Sequence, residues 1–534
     1  MKTRIHIDTW LELKPYTSYN NDDLFYLNLS NEVKKVILTS SHDQQFFDLV
    51  DKEDIDLLCC FLCAYLEDLA SETNIWNTFV RIHQRMYQRP LPFYNFDDYY
   101  EEEFNPQDIS FLIWYFLDQR VEGKLITPTN PFITETADEI MELFDQAWGD
   151  APVNIKLKTY YHLDEDEKDY YKARNLMDIL FFQSYLFYPD TTMRMLNMEI
   201  DTIEEHKSEP HVLELLKENR DDLLHSAYSA LLALKSNDWA AELLGDEHPA
   251  SKYLRNIKKR ISGHFLYKGQ DDKDLFLEHV ASGRKFNLTK KSFDTVPIFK
   301  EVDTMIIISI VYWNEEWWFS GILTTHRFDA DLVLDLRNDI PARMSVSFLD
   351  HEERGADEIL QKQLKIFKEY NKGSQIAFMS SDQINSFLQG FMKFNSESLN
   401  LSEKERKAAR DRANKEGLFD FEQSKINIEG FEKTGVVFFN PKSGVELVMG
   451  VNSAFPLPNN PYFNESQCNQ DLMFLIASDE ISTELVLYCI EHCKNDLPFF
   501  NESAGEFFLE NMDFLLRYWK KKNYHAKPNF SFTG

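Results

Sequence analysis

The chain has 534 residues, of which 43% are hydrophobic and 14% aromatic. That is enough for two to four domains with sizeable cores, and it argues against global disorder. Its 17 glycines are too few for a collagen-like or glycine-rich linker chain. Its formal charge of −32 repels nucleic acid and anionic membranes at long range, while favouring solubility and a basic partner.

The first residues, MKTRIHIDTWLELKPY, contain no apolar segment of signal-peptide type. The longest apolar runs, LLCCFLCAYL and MIIISIVYW, are about half the length needed to cross a bilayer. Six cysteines in so long a chain do not make a disulfide framework. A reducing, cytoplasmic setting without membrane association is therefore expected.

The pattern along the chain divides it into four parts. Residues 1–263 read as an irregular, mainly helical region. RIHIDTW alternates and suggests a short strand; from His42 onward apolar residues recur every three or four positions. A helix through Trp76, Phe79 and Ile82 must stop near Arg89, because Pro90 and Pro92 cannot continue it. Asn105 followed by Pro106 is a helix start, with a second helix over Thr134–Trp148. Longer helices are expected over about 166–188 and 209–236, and a basic one ending at Gly263. No fixed repeat period emerges.

Residues 264–350 change to a strand period: LFLEHV, RKFNLTK, VLDLR, MSVSFL and a central hairpin from Asp303 to Arg327. In this hairpin Met305–Trp313 is apolar on both alternating sets, which predicts cover on both faces. Asn314, Glu315 and Glu316 form the turn, and Gly321 in the return strand signals a bulge or a close backbone approach. A small β-barrel or twisted sheet is expected. Residues 351–430 read as a helical segment or linker, with a helix over Asp357–Tyr370 and a strand in SQIAFMS. The stretch SEKERKAARDRANKEG reads as a charged helix. Residues 431–534 read as an α/β region: a GVVFF/VELVMG hairpin, a DLMFLIAS strand, a helix opened by Ser482 and one over Gly505–Lys522. The fold class is thus multidomain α+β.

RIHQRMYQRPLPFY, the acidic aromatic stretch after it and NPQDISFLIWYFL together resemble uncharacterised bacterial families of unknown function. The resemblance covers mainly residues 74–155, extends to the FFNPKSG region, and implies no activity.

No P-loop, dinucleotide fingerprint, nucleophile elbow or HExxH is present. Arg81, Arg85 and Arg89 recur every four residues and, with His83, form a candidate anion site; internal pairing with DDYYEEE is the plainer reading. Tyr312, Trp313, Trp317 and Trp318 are the candidate partner-binding residues. Trp317 and Trp318 face opposite ways on a strand, and Arg284, Lys285, Lys290 and Lys291 are near in sequence. Core packing is the plainer reading there, and the overall charge opposes nucleic acid. Cys489, His492 and Cys493, with Cys468, resemble metal ligands in type, but the cysteines continue an apolar helix stripe. Cys59, Cys60 and Cys63 read as core. His206 and His211 lie among carboxylates across Pro210, a solvated turn. Arg517, Lys520, Lys521, Lys522 and Lys527 follow the preference of cations for helix ends. No metal or cofactor is expected. The leading reading is an interaction or regulatory protein. Its alternatives are an enzyme with a dispersed acid–base site and nucleic-acid binding through the β-domain.

Overall fold

The computed structural model describes residues 4–525 except 95–98, 101–102, 122–125, 208, 258–259, 296, 298, 300, 340–341, 344–345, 347–355 and 399–433. The chain divides into two compact units, Met1–Arg260 with Ser309–Ile322, and Ile261–Ile308 with Leu323–Gly534.

The first unit is helical. It contains α1 (Ile7–Leu11), α2 (Asn21–Thr39), α3 (Asp43–Leu49), α4 (Lys52–Ser71), α5 (Ile75–Tyr87), α6 (Pro106–Arg120) and α7 (Pro131–Trp148). It continues through α8 (Ile155–Tyr160), α9 (Tyr170–Gln183), α10 (Met193–His206), α11 (Val212–Ser226), α12 (Ser236–Leu244) and α13 (Pro249–Arg255). Helices α4 and α6 are apolar nearly all round and lie in the core, where Phe61 meets Phe116 at 5.5 Å between ring centres. Helix α2 starts with a reciprocal cap: Asn20 accepts from the Asp23 amide at 2.9 Å and Asp23 accepts from the Asn20 amide at 2.8 Å.

Several expectations are corrected here. RIHIDTW is not a strand: Ile7–Leu11 is helical. The helix expected to 188 stops at Gln183, and a 3-10 turn and a π turn carry the chain past Pro189 into α10. The helix expected to 236 stops at Ser226. Beyond it Ser229 turns the chain, its hydroxyl donating to Leu231 O at 2.7 Å and its amide to Leu234 O at 2.9 Å. Such local bonds compete with helix. Nor does a helix end at Gly263, which lies inside the first strand.

The middle of the chain is a closed five-stranded barrel in the order β1-β2-β3-β5-β4. Its strands are β1 (Ile261–Gln270), β2 (Asp274–His279), β3 (Lys285–Thr289), β4 (Met305–Trp313) and β5 (Glu316–His326). Closure removes the exposed edges that an open sheet of this size would present. The β2–β3 register pairs Leu277 with Phe286, and Leu275, Leu277 and His279 alternate inward. Strand β4 is buried on both alternating sets, including Ile308 and Ile310, as its composition predicts. Asn314 and Glu315 both take positive φ (46° and 66°), so the turn has two residues and Glu316 already belongs to β5.

VLDLR is not a strand. It lies in α14 (Ala330–Asn338), opened by Asp329, whose carboxylate accepts from the amides of Asp331 and Leu332. Leu332, Val333 and Leu336 pack against Leu266, Val280 and Met305, a helical spacing that outweighs the alternation. MSVSFL falls largely outside the described residues.

The C-terminal part of the second unit begins with α15 (Ala356–Tyr370), β6 (Ile376–Ser380) and α16 (Ser381–Ser398). After β7 (Thr434–Asn440) and β8 (Gly444–Met449) come α17 (Cys468–Ala477), α18 (Thr483–Cys493), α19 (Ser503–Glu510), α20 (Met512–Trp519) and α21 (Lys521–Tyr524). The antiparallel sheet runs β6-β7-β8, with Ala377 opposite Val437 and Val437 opposite Leu447. Those residues face a core shared with Leu360 and Phe367 of α15 and Leu388 and Phe391 of α16. The other face carries Phe438, whose ring meets Tyr488 of α18 at 5.3 Å. DLMFLIAS is helical, not a strand, with Leu472, Leu475 and Ile476 buried at spacings of three and four. The final expected helix is broken into three. SEKERKAARDRANKEG lies outside the described residues.

Candidate functional site

A concave site lined by apolar, aromatic and polar groups lies in the C-terminal α/β part. Helix α15 ends in a left-handed turn, Lys372 at φ 53° and Gly373 at φ 91°, and the Gly373 amide donates to Lys368 O at 2.6 Å. Asn371 fixes the same turn by donating to Ser374 O and Ile376 O. The opposite wall is α18, capped by the Ser482 hydroxyl, which accepts from the Leu485 amide at 3.2 Å. Glu484, Leu487, Tyr488, Glu491 and His492 recur at spacings of three and four and share one helix face. With Leu364, Lys368, Ser374, Gln375, Phe438 and Pro441 they enclose a groove of about 520 Å³. A shallower recess of about 450 Å³, lined by Gln361, Leu364, Lys365, Lys368, Glu369 and Gly373, shares the Lys368 wall.

Most of the groove's polar atoms hold the walls in place. The Glu484 carboxylate accepts from Lys442 at 2.8 Å and from Asn440 at 3.2 Å. The Ser374 hydroxyl donates to Ile376 O at 2.7 Å, and the Gln375 amide nitrogen donates to Phe439 O at 2.9 Å. His492 stacks on Tyr488 with ring centres 4.0 Å apart and planes 23° apart, its Nδ1 donating to Tyr488 O at 2.9 Å. Burial raises the Tyr488 phenol above its usual pKa, so it is a neutral aromatic wall. Two charges differ. Among the described residues neither the Lys368 ammonium nor the Glu491 carboxylate is held by an ion pair or side-chain hydrogen bond. With Ser374 committed to a carbonyl, the arrangement suits reversible recognition: apolar surface with a few oriented polar groups.

Of the residues singled out in the sequence, His492 lines this groove and the others lie elsewhere. Arg81 donates to Glu242 O, and Arg85 pairs with the Glu242 carboxylate at 2.9 Å. Glu242 of α12 thus gathers Arg81 and Arg85, and it also takes Arg255 at 3.2 Å; most of the acids of DDYYEEE lie outside the described residues. His83 is fully buried and donates from Nδ1 to Arg89 O at 2.7 Å. Burial lowers its pKa to about 4, which leaves it neutral. Trp313 and Trp318 are buried, the first donating to Lys168 O at 3.0 Å. Tyr312 and Trp317 are partly exposed, with ring centres 5.2 Å apart. Lys290 donates to Asp271 O, and Arg284 lies over the Phe286 ring.

Among the described residues no group of three or more His, Cys, Asp and Glu is arranged to hold a metal. Cys468, Cys489 and Cys493 are buried, and the Cys489 thiol points to Ala454 O at 3.2 Å. Cys59, Cys60 and Cys63 are also buried thiols. His206 pairs with Glu209 at 3.0 Å, and His211 lies 3.9 Å from Glu214.

A network of buried charges in the first unit carried no signal in the sequence. Arg260, with 3% of its side chain exposed, donates to Glu218 at 2.6 Å. Glu218 also accepts from the Ser309 hydroxyl at 2.9 Å and the Ile322 amide at 3.2 Å. Asp221 accepts from Arg174 Nε at 2.7 Å and from Ser320 at 2.6 Å; burial alone would raise its carboxyl, but these donors hold it below its usual pKa. Arg220 grips Asp178 through two bonds of 2.8 Å. These groups satisfy one another.

Comparison with known proteins adds a family but no activity. The profile of a family described as "protein of unknown function (DUF3843)" matches residues 4–280. The match is wider than the expected 74–155 and does not reach FFNPKSG. No curated protein and no solved structure matches the chain.

Proposed function

The chain belongs to the DUF3843 family, whose description carries no activity, and from that premise we propose that it is a binding protein of regulatory type. Its ligand site is the groove between α15 and α18. The observation that carries this reading is the convergence on one hollow of apolar Leu364 and Leu487, the Tyr488–His492 stack and the charges of Lys368 and Glu491. About 520 Å³ is within the range of small-molecule sites. Leu487 is 48% exposed, an apolar side chain that a ligand would cover. The partly exposed Tyr312–Trp317 pair supports a protein partner as well. Six free cysteines support a cytoplasmic setting.

The test is titration of the full chain with anilinonaphthalene sulfonate, an amphipathic fluorescent probe. One saturable site, lost in Leu487→Arg and weakened in Tyr488→Ala, is expected. No saturable binding, or equal binding by both variants, sinks the reading.

A further inference from the structure

The groove's two uncommitted charges define its ligand more narrowly, and this step rests on the reading just given. Lys368 lies on α15, two residues before the helix end, where a cation also meets the negative pole of the helix. Glu491 lies on α18, on the same face as Tyr488 and Leu487. Both line one hollow, yet they form no ion pair with each other or with another described residue. The remaining acid, Glu484, is neutralised by Lys442 and Asn440, so Glu491 is left as the anionic pole. The same hollow is also lined by apolar and aromatic side chains: Leu364, Phe438, Pro441, Leu487 and Tyr488.

We infer that the groove binds a zwitterion with an apolar body, a free amino acid or short peptide with a bulky side chain, its carboxylate at Lys368 and its ammonium at Glu491. Charge complementarity at both ends supplies the orientation, and the aromatic stack with its leucines supplies the contact area. A ligand with one charge leaves the opposite pole unanswered. A ligand with none gains only the apolar contact.

The experiment uses the full chain with anilinonaphthalene sulfonate bound, and competes the probe with L-phenylalanine, the dipeptide Leu-Phe, phenylalanine amide and N-acetylphenylalanine. Displacement by phenylalanine or by Leu-Phe is expected, with each singly charged analogue at least about tenfold weaker, the loss of one charge-assisted contact. The tighter of the two zwitterions names the source. Lys368→Met should abolish the preference over the amide, and Glu491→Gln the preference over the N-acetyl compound; both side chains are at least partly exposed, so folding is not at stake. If the probe binds but neither zwitterion displaces it, or the blocked analogues compete equally, the inference falls and the groove reading stands. If the probe does not bind, both fall.

Discussion

Gly321 leaves the space that the Glu218 carboxylate fills. A methyl group at Gly321 would stand 2.5 Å from Arg260 Nη2 and closer still to Glu218 Oε2. The glycine also holds φ at +84°, which side chains rarely adopt. Strand β5 therefore meets α11 through a charged pair rather than through packed methyls. Gly321→Ala should cost at least about 2 kcal/mol, from strain and displacement of the pair together. Gly283 supplies the control, since its φ is +69° but nothing lies within 4 Å of the added carbon. Gly283→Ala should cost about 1 kcal/mol, the strain alone. Equal losses in urea denaturation would show that the carboxylate does not need the space.

Removing one member of that pair should cost more than removing both. Glu218→Leu leaves the Arg260 guanidinium buried without its main partner and should destabilise by about 3–5 kcal/mol. Adding Arg260→Met should restore a large part of the loss. A double-mutant cycle in which the two changes simply add would refute the coupling.

Lys520 should make stability depend on alkaline pH. Its ammonium is fully buried and donates to the carbonyls of Leu475 at 2.9 Å, Ser478 at 2.6 Å and Ile481 at 3.0 Å. Burial lowers its pKa to about 7, although Glu446 and Asp479 act in the opposite direction. A lysine with a lowered folded pKa binds fewer protons folded than unfolded between pH 7 and its usual value. Stability from this group therefore rises with pH across that window, and below pH 7 the full cost of the buried charge is present. Stability curves at pH 7 and pH 9 should differ by about 1–3 kcal/mol in favour of pH 9 before other groups are subtracted. Lys520→Met should remove that increment; the same slope in the variant would acquit the lysine.

Ile308 should behave as a close-packed core residue. It is 1% exposed in a strand covered on both faces. Ile308→Ala should lose about 2–5 kcal/mol, read as a lower denaturation midpoint at unchanged slope.

What was legible in the sequence followed from local rules. Asn314 and Glu315 between two apolar runs marked the barrel's central hairpin, and Gly321 announced a close approach without naming Glu218. Ser482 marked the start of α18. Short apolar runs were ambiguous: DLMFLIAS and VLDLR both carry helical spacings inside segments short enough to pass for strands. Missed start signals would have resolved the second, since Asp329 precedes it as a cap, and Asn20 with Asp23 would have placed α2. The groove left no local mark, because Lys368 and Glu491 are brought together only when α15 and α18 pack on opposite faces of one sheet. The Arg174–Asp221 pair is likewise joined by helix packing, not by spacing.

The make-up of the first compact unit bears on where the chain can be cut. Residues 309–322 belong to it, yet the family match ends at 280, before the hairpin begins. A chain stopped at 280 would keep Glu218, Asp221 and Arg260 while losing Ser309, Ser320 and the Ile322 amide that answer them. It would also uncover Tyr170, Tyr171 and Tyr253, on which Trp318 and Trp313 rest. Such a fragment should be recovered insoluble, and a hairpin supplied separately should rescue it by strand complementation.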